Sequence, residues 1–485
     1  MEPILSLANA AARGGAVTLA GQLVRFVIQL TSVAFLARLI DPTDYGLYTM
    51  VFAIVGVATV VGDFGLSLAA IQSQTITPQQ RTNLFWTNTV IGVALGLIVV
   101  CGAPALAAFY GEPAVMPIAQ VMAITFVLNA LTAQFRAEVS VKLRFAWLAA
   151  VDVAAVAIAL VVAIWIALLG FGYWALVAQQ LTIAAVTLIG LVAAARWLPG
   201  LPRRGAQMRA LYVYGANTLG VQLFSYLTSN IDSILIGRVW GPAPLGVYDR
   251  AYQLFRLPLQ QIAAPMTKVA MPVLSRLQTD TRYEKYVQRA QLVLGYTFGG
   301  TFWLLAALSD PTIDILLGPG WDQAKPIFTV LAVGGVFQGI GFVYYWVFLS
   351  RALTGLQLRW TLIGRSAMVA CMAVGVIWGP LGVAIGATIG QVINWTLQTI
   401  FPMGKTGLRR GPLIAIAIRP IALFAPISVV CVLLSYTVMT MWNPWAELAV
   451  LVPLLGAYFA LATLVPRVRT DYSQLFDVAR RLRRR

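Results

Sequence analysis

Residues 18–32 read TLAGQLVRFVIQLTS, inside an apolar run that extends from Gly14 to Leu39. At about 1.5 Å per residue, a helix of this length crosses the hydrocarbon core of a bilayer. Arg25 lies in the middle of the run, where a charged side chain costs roughly 2.5 to 3.5 kcal/mol on insertion scales. The stretch therefore predicts a spanning helix, and Arg25 requires a partner, a hydrated cavity or an anionic ligand.

The whole chain has the composition of a multispanning membrane protein. Hydrophobic residues make up 60% of its 485 residues and charged residues 11%, and the mean hydropathy is +0.81. The first residues lack the pattern of a cleaved secretory signal. There is no histidine, and the three cysteines lie in apolar runs, so neither a metal site nor a disulfide framework is indicated. We expect an all-α integral membrane protein without a cofactor.

Fourteen apolar segments are each about long enough to span a bilayer. They cover residues 14–37, 46–70, 84–108, 114–135, 146–169, 172–195, 212–237, 247–274, 290–309, 324–350, 360–379, 381–402, 412–436 and 444–465. Of the 34 Lys and Arg residues, 26 fall on connections on the side of the N-terminus and four on the opposite connections. This positive-inside pattern predicts that both termini are cytoplasmic.

The net charge of +17 therefore follows mostly from topology and does not indicate a nucleic-acid partner. One part of it has a second interpretation. The C-terminal residues VARRLRRR also match a binding segment for anionic lipid headgroups, and the sequence leaves both interpretations open.

The chain contains a repeat at a shift of 200 residues. The segment GAVTLAGQL from Gly15 aligns with GANTLGVQL from Gly215 without a gap, and the match continues into the following loop, where Arg38, Pro42, Gly46 and Tyr48 recur. Six spans separate the copies, so both have the same orientation and form a parallel repeat. We predict an N-lobe at 1–196 with helices 1–6, a basic cytoplasmic linker at 197–210, a C-lobe at 211–402 with helices 7–12, helices 13–14 at 403–466, and a basic cytoplasmic tail at 467–485.

Polar side chains form one stripe on the first predicted helix and one on the seventh. At helical spacing, the stripes contain Thr18, Gln22, Arg25, Gln29 and Ser32, and Thr218, Gln222, Ser225, Ser229 and Asp232. Because polar groups are costly against lipid, we expect both stripes to face a common hydrated cavity. Interhelical hydrogen bonding, at about 0.6 kcal/mol per bond, is the alternative.

The eighth predicted helix adds Arg256 and Lys268, and prolines at 258, 265 and 272 should bend it. Buried acids are expected at positions 63, 152 and 232. Asp63 and Asp232 are predicted to pair with an arginine, line the cavity or accept a coupling proton, whereas Asp152 is expected to be hydrated at the inner boundary. In the loop LIDPTDYGLY, Asp41 or Asp44 should cap the second helix.

Four segments carry a family resemblance. FLARLIDPTDYGLYTM, GDFGLSLAAIQ, LGVYDRAYQLFRLPLQQI and VAMPVLSRLQ resemble bacterial polysaccharide transport proteins, namely Wzx-type flippases of the colanic-acid and xanthan exporter branch. These belong to the multidrug/oligosaccharidyl-lipid/polysaccharide (MOP) superfamily. The resemblance implies a V-shaped, alternating-access transporter of the bacterial inner membrane. It also implies an undecaprenyl diphosphate-linked oligosaccharide as substrate, and a polysaccharide polymerase and chain-length machinery as partners.

The resemblance gives the polar residues a role. Related lipid II flippases use cavity arginines on the first and eighth helices, and Arg25 and Arg256 resemble these in position. We expect Arg25, Arg256 and Lys268 to bind the diphosphate, since a guanidinium makes forked hydrogen bonds to phosphate oxygens. The glutamines at 22, 29 and 222 and Asp232 should also contact the substrate.

Two other functional classes are weighed against a flippase. A cation-coupled multidrug exporter would share the fold but should prefer buried carboxylates to buried arginines. A polymerase or ligase should have a large outer loop with catalytic groups, whereas the longest outer connection here, SDPTIDILLGPGWDQAK, is short. No GxxxxGK[ST] loop for ATP is present either. The sequence favours a non-enzymatic transporter.

Overall fold

The computed structural model describes residues 2–57, 77–202, 208–278, 280–440 and 442–483. The regular secondary structure of these residues is all helical, without a β-strand among them. The helices are α1 (Glu2–Ala37), α2 (Pro42–Val55), α3 (Pro78–Tyr110), α4 (Val115–Met122), α5 (Ile124–Val141), α6 (Phe145–Leu168), α7 (Trp174–Ala195), α8 (Arg209–Ser229), α9 (Ile231–Trp240), α10 (Pro242–Leu277), α11 (Tyr283–Ala307), α12 (Ser309–Leu316), α13 (Ala324–Ser350), α14 (Thr354–Gly375), α15 (Gly379–Ile400), α16 (Pro402–Lys405), α17 (Arg410–Thr437), α18 (Pro444–Ala462) and α19 (Pro466–Arg483).

Ten stretches of the described residues are long and apolar enough to cross a membrane. One of them, Thr354–Lys405, contains both α14 and α15. Helix α2 leads into residues outside the described ranges, and α8 with α9, and α10, occupy the seventh and eighth predicted spans. The predicted all-α membrane fold is confirmed. The count of fourteen spans is consistent with these helices and stays a prediction.

The chain divides into two compact units, residues 1–249 and 250–485. In the first unit, α1 packs on α6, and α5 and α6 both pack on α7. The core between α3, α5 and α7 includes Phe85, Phe135 and Leu191. In the second unit, α14 packs on α15, and α11 packs on α13 and α17.

The boundary between the compact units lies inside α10, not in the predicted linker at 197–210. Helix α9 explains this difference, because it packs on α2 and α3 and so joins the start of the second repeat to the first unit. Residues 203–207 of the linker lie outside the described ranges. The division into lobes that the sequence suggests stays a prediction.

The two copies of the repeat place their turns against each other. Each copy starts a helix at the matching proline, α2 at Pro42 and α10 at Pro242, where proline is favoured because its missing N–H is not needed. A Cβ added at Gly46 would overlap the carbonyl oxygen of Pro242, and one added at Gly246 would overlap that of Pro42. Only glycine allows such close backbone approach. The sequence repeat is thus also a reciprocal packing contact.

The loop before α2 differs from its sequence prediction in one detail. Asp41 occupies the N-cap position of α2 but forms no side-chain capping bond. Asp44 instead accepts a backbone hydrogen bond from Tyr173, in the loop between α6 and α7. Burial raises the pKa of Asp44, and repulsion from Asp41 adds to the increase. Asp44 therefore connects the start of α2 to the loop between α6 and α7, and Asp41 does not cap the helix.

Candidate functional site

The Arg25 side chain projects from α1 towards α6 and is partly exposed. Its Nη1 atom lies 3.6 Å from Oδ2 of Asp152, and 41% of the Arg25 side chain is exposed. Arg136 binds the same carboxylate more closely, at 2.7 Å to Oδ1 and 3.3 Å to Oδ2. A distance of 3.6 Å is beyond hydrogen-bond range. Within the described residues, Arg25 therefore has a nearby counter-charge but no tight bond to it.

This pairing bears on two expectations. Asp63 and Asp232 were predicted to pair with an arginine, to line the cavity or to accept a proton, and Asp152 was expected to be hydrated. The structure places Asp152 between two arginines instead, because α1 packs on α6. Asp63 lies outside the described residues.

One edge of the α1 stripe packs on neighbouring helices. A Cβ on Gly21 would lie 2.9 Å from that of Ala149 in α6, so the two helices are close there. Near the other end of α1, Gln179 of α7 donates a 2.9 Å hydrogen bond to Oγ of Ser32. At 100° per residue, Gly21, Ser32 and Arg25 share this edge. For Ser32 the alternative of interhelical hydrogen bonding is the one the structure supports.

The other edge of the stripe is more open. Gln22 is exposed and Gln29 is half-buried, and both lie on the side of Arg25 that is turned away from Gly21. Gln222, which follows the same register in α8, is half-buried. Their contact with a substrate stays a prediction.

Asp232 is enclosed by its own repeat. Only 4% of the residue is exposed, and its Oδ2 accepts a 2.8 Å hydrogen bond from the Tyr248 hydroxyl. Its Oδ1 accepts the backbone N–H of Ser233, at 2.9 Å. The helix is interrupted at Asn230, so Asp232 sits in the first turn of α9, where a negative charge is favourable. In this conformation the Asp232 carboxylate stabilises the local fold through these hydrogen bonds. Its contact with substrate or ions stays a prediction.

The second unit has its own buried cation, Arg256 of α10. The Arg256 guanidinium lies over the ring of Tyr252, with Cζ 5.6 Å from the ring centroid. The residue is half-buried, and no carboxylate among the described residues forms an ion pair with it. A cation over an aromatic face is stabilised without a neutralising charge. The ring of Tyr252 is therefore the contact that stabilises the Arg256 guanidinium inside the predicted span.

Lys268 is separated from Arg256 along the same helix. Twelve residues correspond to about 18 Å of helix axis, and the two positions differ by about 120° around it. Lys268 is exposed, whereas Arg256 is half-buried. On an ideal helix the two side chains therefore point in different directions, and their joint contact with one diphosphate stays a prediction.

Sequence reasoning missed Arg365, which it assigned to a cytoplasmic connection. The structure places Arg365 in the middle of α14, half-buried and within electrostatic range of Tyr252. Arg256 and Arg365 thus lie near one tyrosine from two different helices. The sequence did contain a signal for this position. Arg365 follows Arg359 by six residues and so lies well inside an apolar segment.

Two further buried acids were also missed. Asp471 of α19 is 2% exposed and Glu447 of α18 is 1% exposed. Asp471 accepts hydrogen bonds from Tyr296 and Arg419, and Glu447 accepts one from Ser435. Both lie near the ends of helices, where hydropathy does not distinguish a solvated acid from one covered by neighbouring helices.

Comparison with known proteins connects this arrangement to polysaccharide synthesis. Residues 35–326, more than half of the chain, match the family described as polysaccharide biosynthesis protein. The chain is 23% identical over 391 residues to the lipopolysaccharide biosynthesis protein WzxC of Escherichia coli (strain K12), which covers 78% of this chain and 77% of the relative. It is 25% identical over 347 residues to the succinoglycan biosynthesis transport protein ExoT of Rhizobium meliloti (strain 1021), which covers 68% and 69%.

Solved structures show the same fold. The lipid II flippase MurJ in an inward closed conformation aligns with a TM-score of 0.73 at 12% identity, over 94% of this chain and 100% of that chain. An inward-facing MATE family transporter of the MOP superfamily aligns with a TM-score of 0.62 at 15% identity, over 79% and 94%. The predicted MOP-type fold and the resemblance to Wzx-type proteins are confirmed. The chain belongs to the polysaccharide biosynthesis protein family and is a multi-pass bacterial membrane protein.

Proposed function

We propose that this protein is a flippase for undecaprenyl diphosphate-linked oligosaccharide repeat units. It moves them by alternating access from the cytoplasmic to the periplasmic leaflet of the inner membrane, for exopolysaccharide synthesis. Both termini lie in the cytoplasm, and a polymerase and chain-length machinery receive the product. One observation carries this proposal: Arg25 lies inside a span, and Asp152, its ion-pair partner among the described residues, is bound more tightly by Arg136.

The chemistry of Arg25 suits a diphosphate. A diphosphate cannot cross hydrocarbon with its charge unpaired, and a guanidinium donates two parallel hydrogen bonds to phosphate oxygens. Because Arg25 is 3.6 Å from Asp152, it loses no short hydrogen bond when it turns to a ligand. Asp152 remains close enough to lower the cost of leaving Arg25 in the membrane when the site is empty. Arg25 therefore alternates between ligand and Asp152.

The cations of the second unit have different roles in the proposal. Lys268 is exposed, twenty-six residues or about 39 Å along α10 from Pro242, and attracts the diphosphate at the cytoplasmic surface. Arg256 and Arg365, near Tyr252, bind phosphate deeper in the span. Gln22, Gln29 and Gln222 contact the sugars. The polyprenyl chain of the substrate stays in the lipid.

The membrane potential favours export of an anion. An inside-negative potential contributes about 2.3 kcal/mol per charge per 100 mV, so moving about two negative charges outward gains about 5 kcal/mol. ATP hydrolysis is not required by this scheme. Where export depends on an ion gradient, we assign the coupling to Asp232 and Asp63.

Replacing Arg25 with alanine tests the proposal in cells that depend on this protein for polymer. Export of repeat units should be lost while the amount of protein in the membrane is unchanged, and Arg25→Lys should retain part of the activity because it keeps the charge without the fork. Unchanged export by Arg25→Ala would contradict the proposal. Loss of drug resistance without loss of polymer would identify a drug exporter instead.

A further inference from the structure

The C-terminal helix α19 is held against the second unit by a buried acid. Asp471 accepts a 2.8 Å hydrogen bond from the Tyr296 hydroxyl of α11 and a 3.1 Å bond from Nη1 of Arg419 in α17. The rings of Tyr472 and Tyr296 pack edge to face, with centroids 5.9 Å apart. Two spanning helices therefore fix the position and rotation of α19, so that it is not a free tail.

The rotation gives α19 one covered face. Val468, Tyr472 and Leu475 are half-buried and Asp471 is buried, at the spacing of successive helical turns. This face is directed at the protein. Since Arg419 already balances Asp471, the acid does not offset the charge of the opposite face.

The opposite face is basic and carries one aromatic side chain. Arg469, Ser473, Phe476 and Arg480 are all exposed and recur at intervals of four, three and four residues, which places them in one stripe. Phe476 is 70% exposed. We call these four residues the α19 basic stripe.

The position of α19 along the chain sets it at the membrane surface. Helix α18 is one of the candidate spans, and α19 begins four residues after it ends. Leu464 and Val465, which lie between them, are 77% and 50% exposed, as expected where hydrocarbon ends. The positive-inside pattern assigns this side to the cytoplasm.

We propose that the α19 basic stripe binds anionic phospholipid headgroups of the cytoplasmic leaflet. Charge complementarity identifies the occupant, because arginine at this depth meets lipid phosphates first, and an exposed phenylalanine between arginines inserts at the headgroup boundary. The Asp471 contact holds the stripe in the orientation that the surface requires. This inference is independent of the transport proposal, and either can fail without the other.

Hydrogen exchange of the full-length protein tests the inference directly. In nanodiscs of neutral phosphatidylcholine and in nanodiscs containing phosphatidylglycerol, we compare exchange of backbone amides in peptides covering α19. Exchange should be slower with phosphatidylglycerol, and high salt should remove the difference. The protection ratio is the exchange rate in phosphatidylcholine divided by the rate in phosphatidylglycerol. In the variant Arg469→Gln/Arg480→Gln this ratio should fall about fivefold for each arginine removed.

A matched variant separates the stripe from net charge. Arg467→Gln/Arg282→Gln also removes two positive charges, but from outside the stripe. Arg467 is turned about 160° away from Arg469 around α19, and Arg282 lies in the loop before α11. This variant should keep most of the protection. Equal exchange in the two lipids, equal loss in the two variants, or protection that appears only when a soluble protein is added would each overturn the inference.

Discussion

The two copies of the repeat share the geometry of one turn and differ in their polar chemistry. Around Pro42 and Pro242 they are equivalent, since each turn packs its glycine against the other proline. Ten residues earlier in each copy they diverge. Ser32 accepts a bond from Gln179, whereas the matching Asp232 accepts one from Tyr248 of its own copy.

The partner tyrosines differ in the same way. Tyr248 donates to Asp232, while the matching Tyr48 stacks on Phe52 with ring centroids 5.5 Å apart. Arg25 likewise has Ser225 as its counterpart. The turn is therefore a geometric requirement that both copies must meet, whereas each copy supplies the chemistry of its stripe separately. Within their stripes, the first copy therefore carries a cation, Arg25, and the second copy carries an acid, Asp232.

The largest effect should come from breaking the reciprocal turn. Gly46→Val or Gly246→Val forces a side chain into the opposite carbonyl, and the backbone must move, at a cost of about 3 kcal/mol or more. The two variants should lose similar thermal stability in detergent, because the contact is reciprocal. Gly102→Val, where a Cβ meets nothing within 4 Å, is the control and should stay near wild type. A loss in only one of the two variants would show that the turns are not equivalent.

Removing the acid of the second copy should have the next effect. Asp232→Ala takes away the acceptor of the Tyr248 hydroxyl in a buried setting and should cost about 1 to 3 kcal/mol of unfolding free energy. Asp232→Asn keeps an acceptor oxygen and should cost less. Thermal unfolding of both variants measures these losses. Equal losses would show that the hydrogen bond from Tyr248 does not contribute to stability.

Arg136 should control how available Arg25 is. In Arg136→Gln, Asp152 loses its closer partner and binds Arg25 instead, so affinity for a polyprenyl diphosphate should fall about tenfold, or about 1.4 kcal/mol. Adding Asp152→Asn should restore it. The control Arg81→Gln breaks the pair with Glu138, which does not involve Arg25. Unchanged affinity in Arg136→Gln would show that the shared carboxylate does not tune Arg25.

The smallest effect should follow from the first copy's interhelical bond. Ser32→Ala removes the hydrogen bond from Gln179 and should cost about 0.6 kcal/mol. The neighbouring Thr31 donates to the carbonyl oxygen of Val27 in its own helix, so Thr31→Ala should cost less. Thermal unfolding measures both, and a larger loss for Thr31→Ala would contradict the assignment of this edge to packing.

The repeat and the all-α membrane fold could be predicted because they depend on local pattern. Proline fixes the start of a helix, and apolar length fixes a span, so Pro42 and Pro242 were recognisable from the sequence alone. The partner of Arg25 was not. Its contact with Asp152 depends on which helices become neighbours, and no spacing within α1 or α6 contains that information.

Depth was the second difficulty for sequence reasoning. Arg365 lies inside the apolar segment 360–379 but was counted with the basic residues of the connection before it, although α14 continues several turns on both sides of it. Asp471 follows the last span and resembles a solvated tail residue, but Arg419 and Tyr296 cover it. Charged residues at the ends of spans are therefore where tertiary packing decides the role.

The most direct test of the central claim measures ligand binding to Arg25. Purified wild-type protein and Arg25→Gln are titrated with undecaprenyl diphosphate and with uncharged undecaprenol, with bound lipid counted by native mass spectrometry and Arg81→Gln as control. We predict that wild type and Arg81→Gln prefer the diphosphate and that Arg25→Gln loses at least about tenfold in its affinity for the diphosphate, with binding of undecaprenol unchanged. Equal affinity of wild type and Arg25→Gln for the diphosphate would contradict the account.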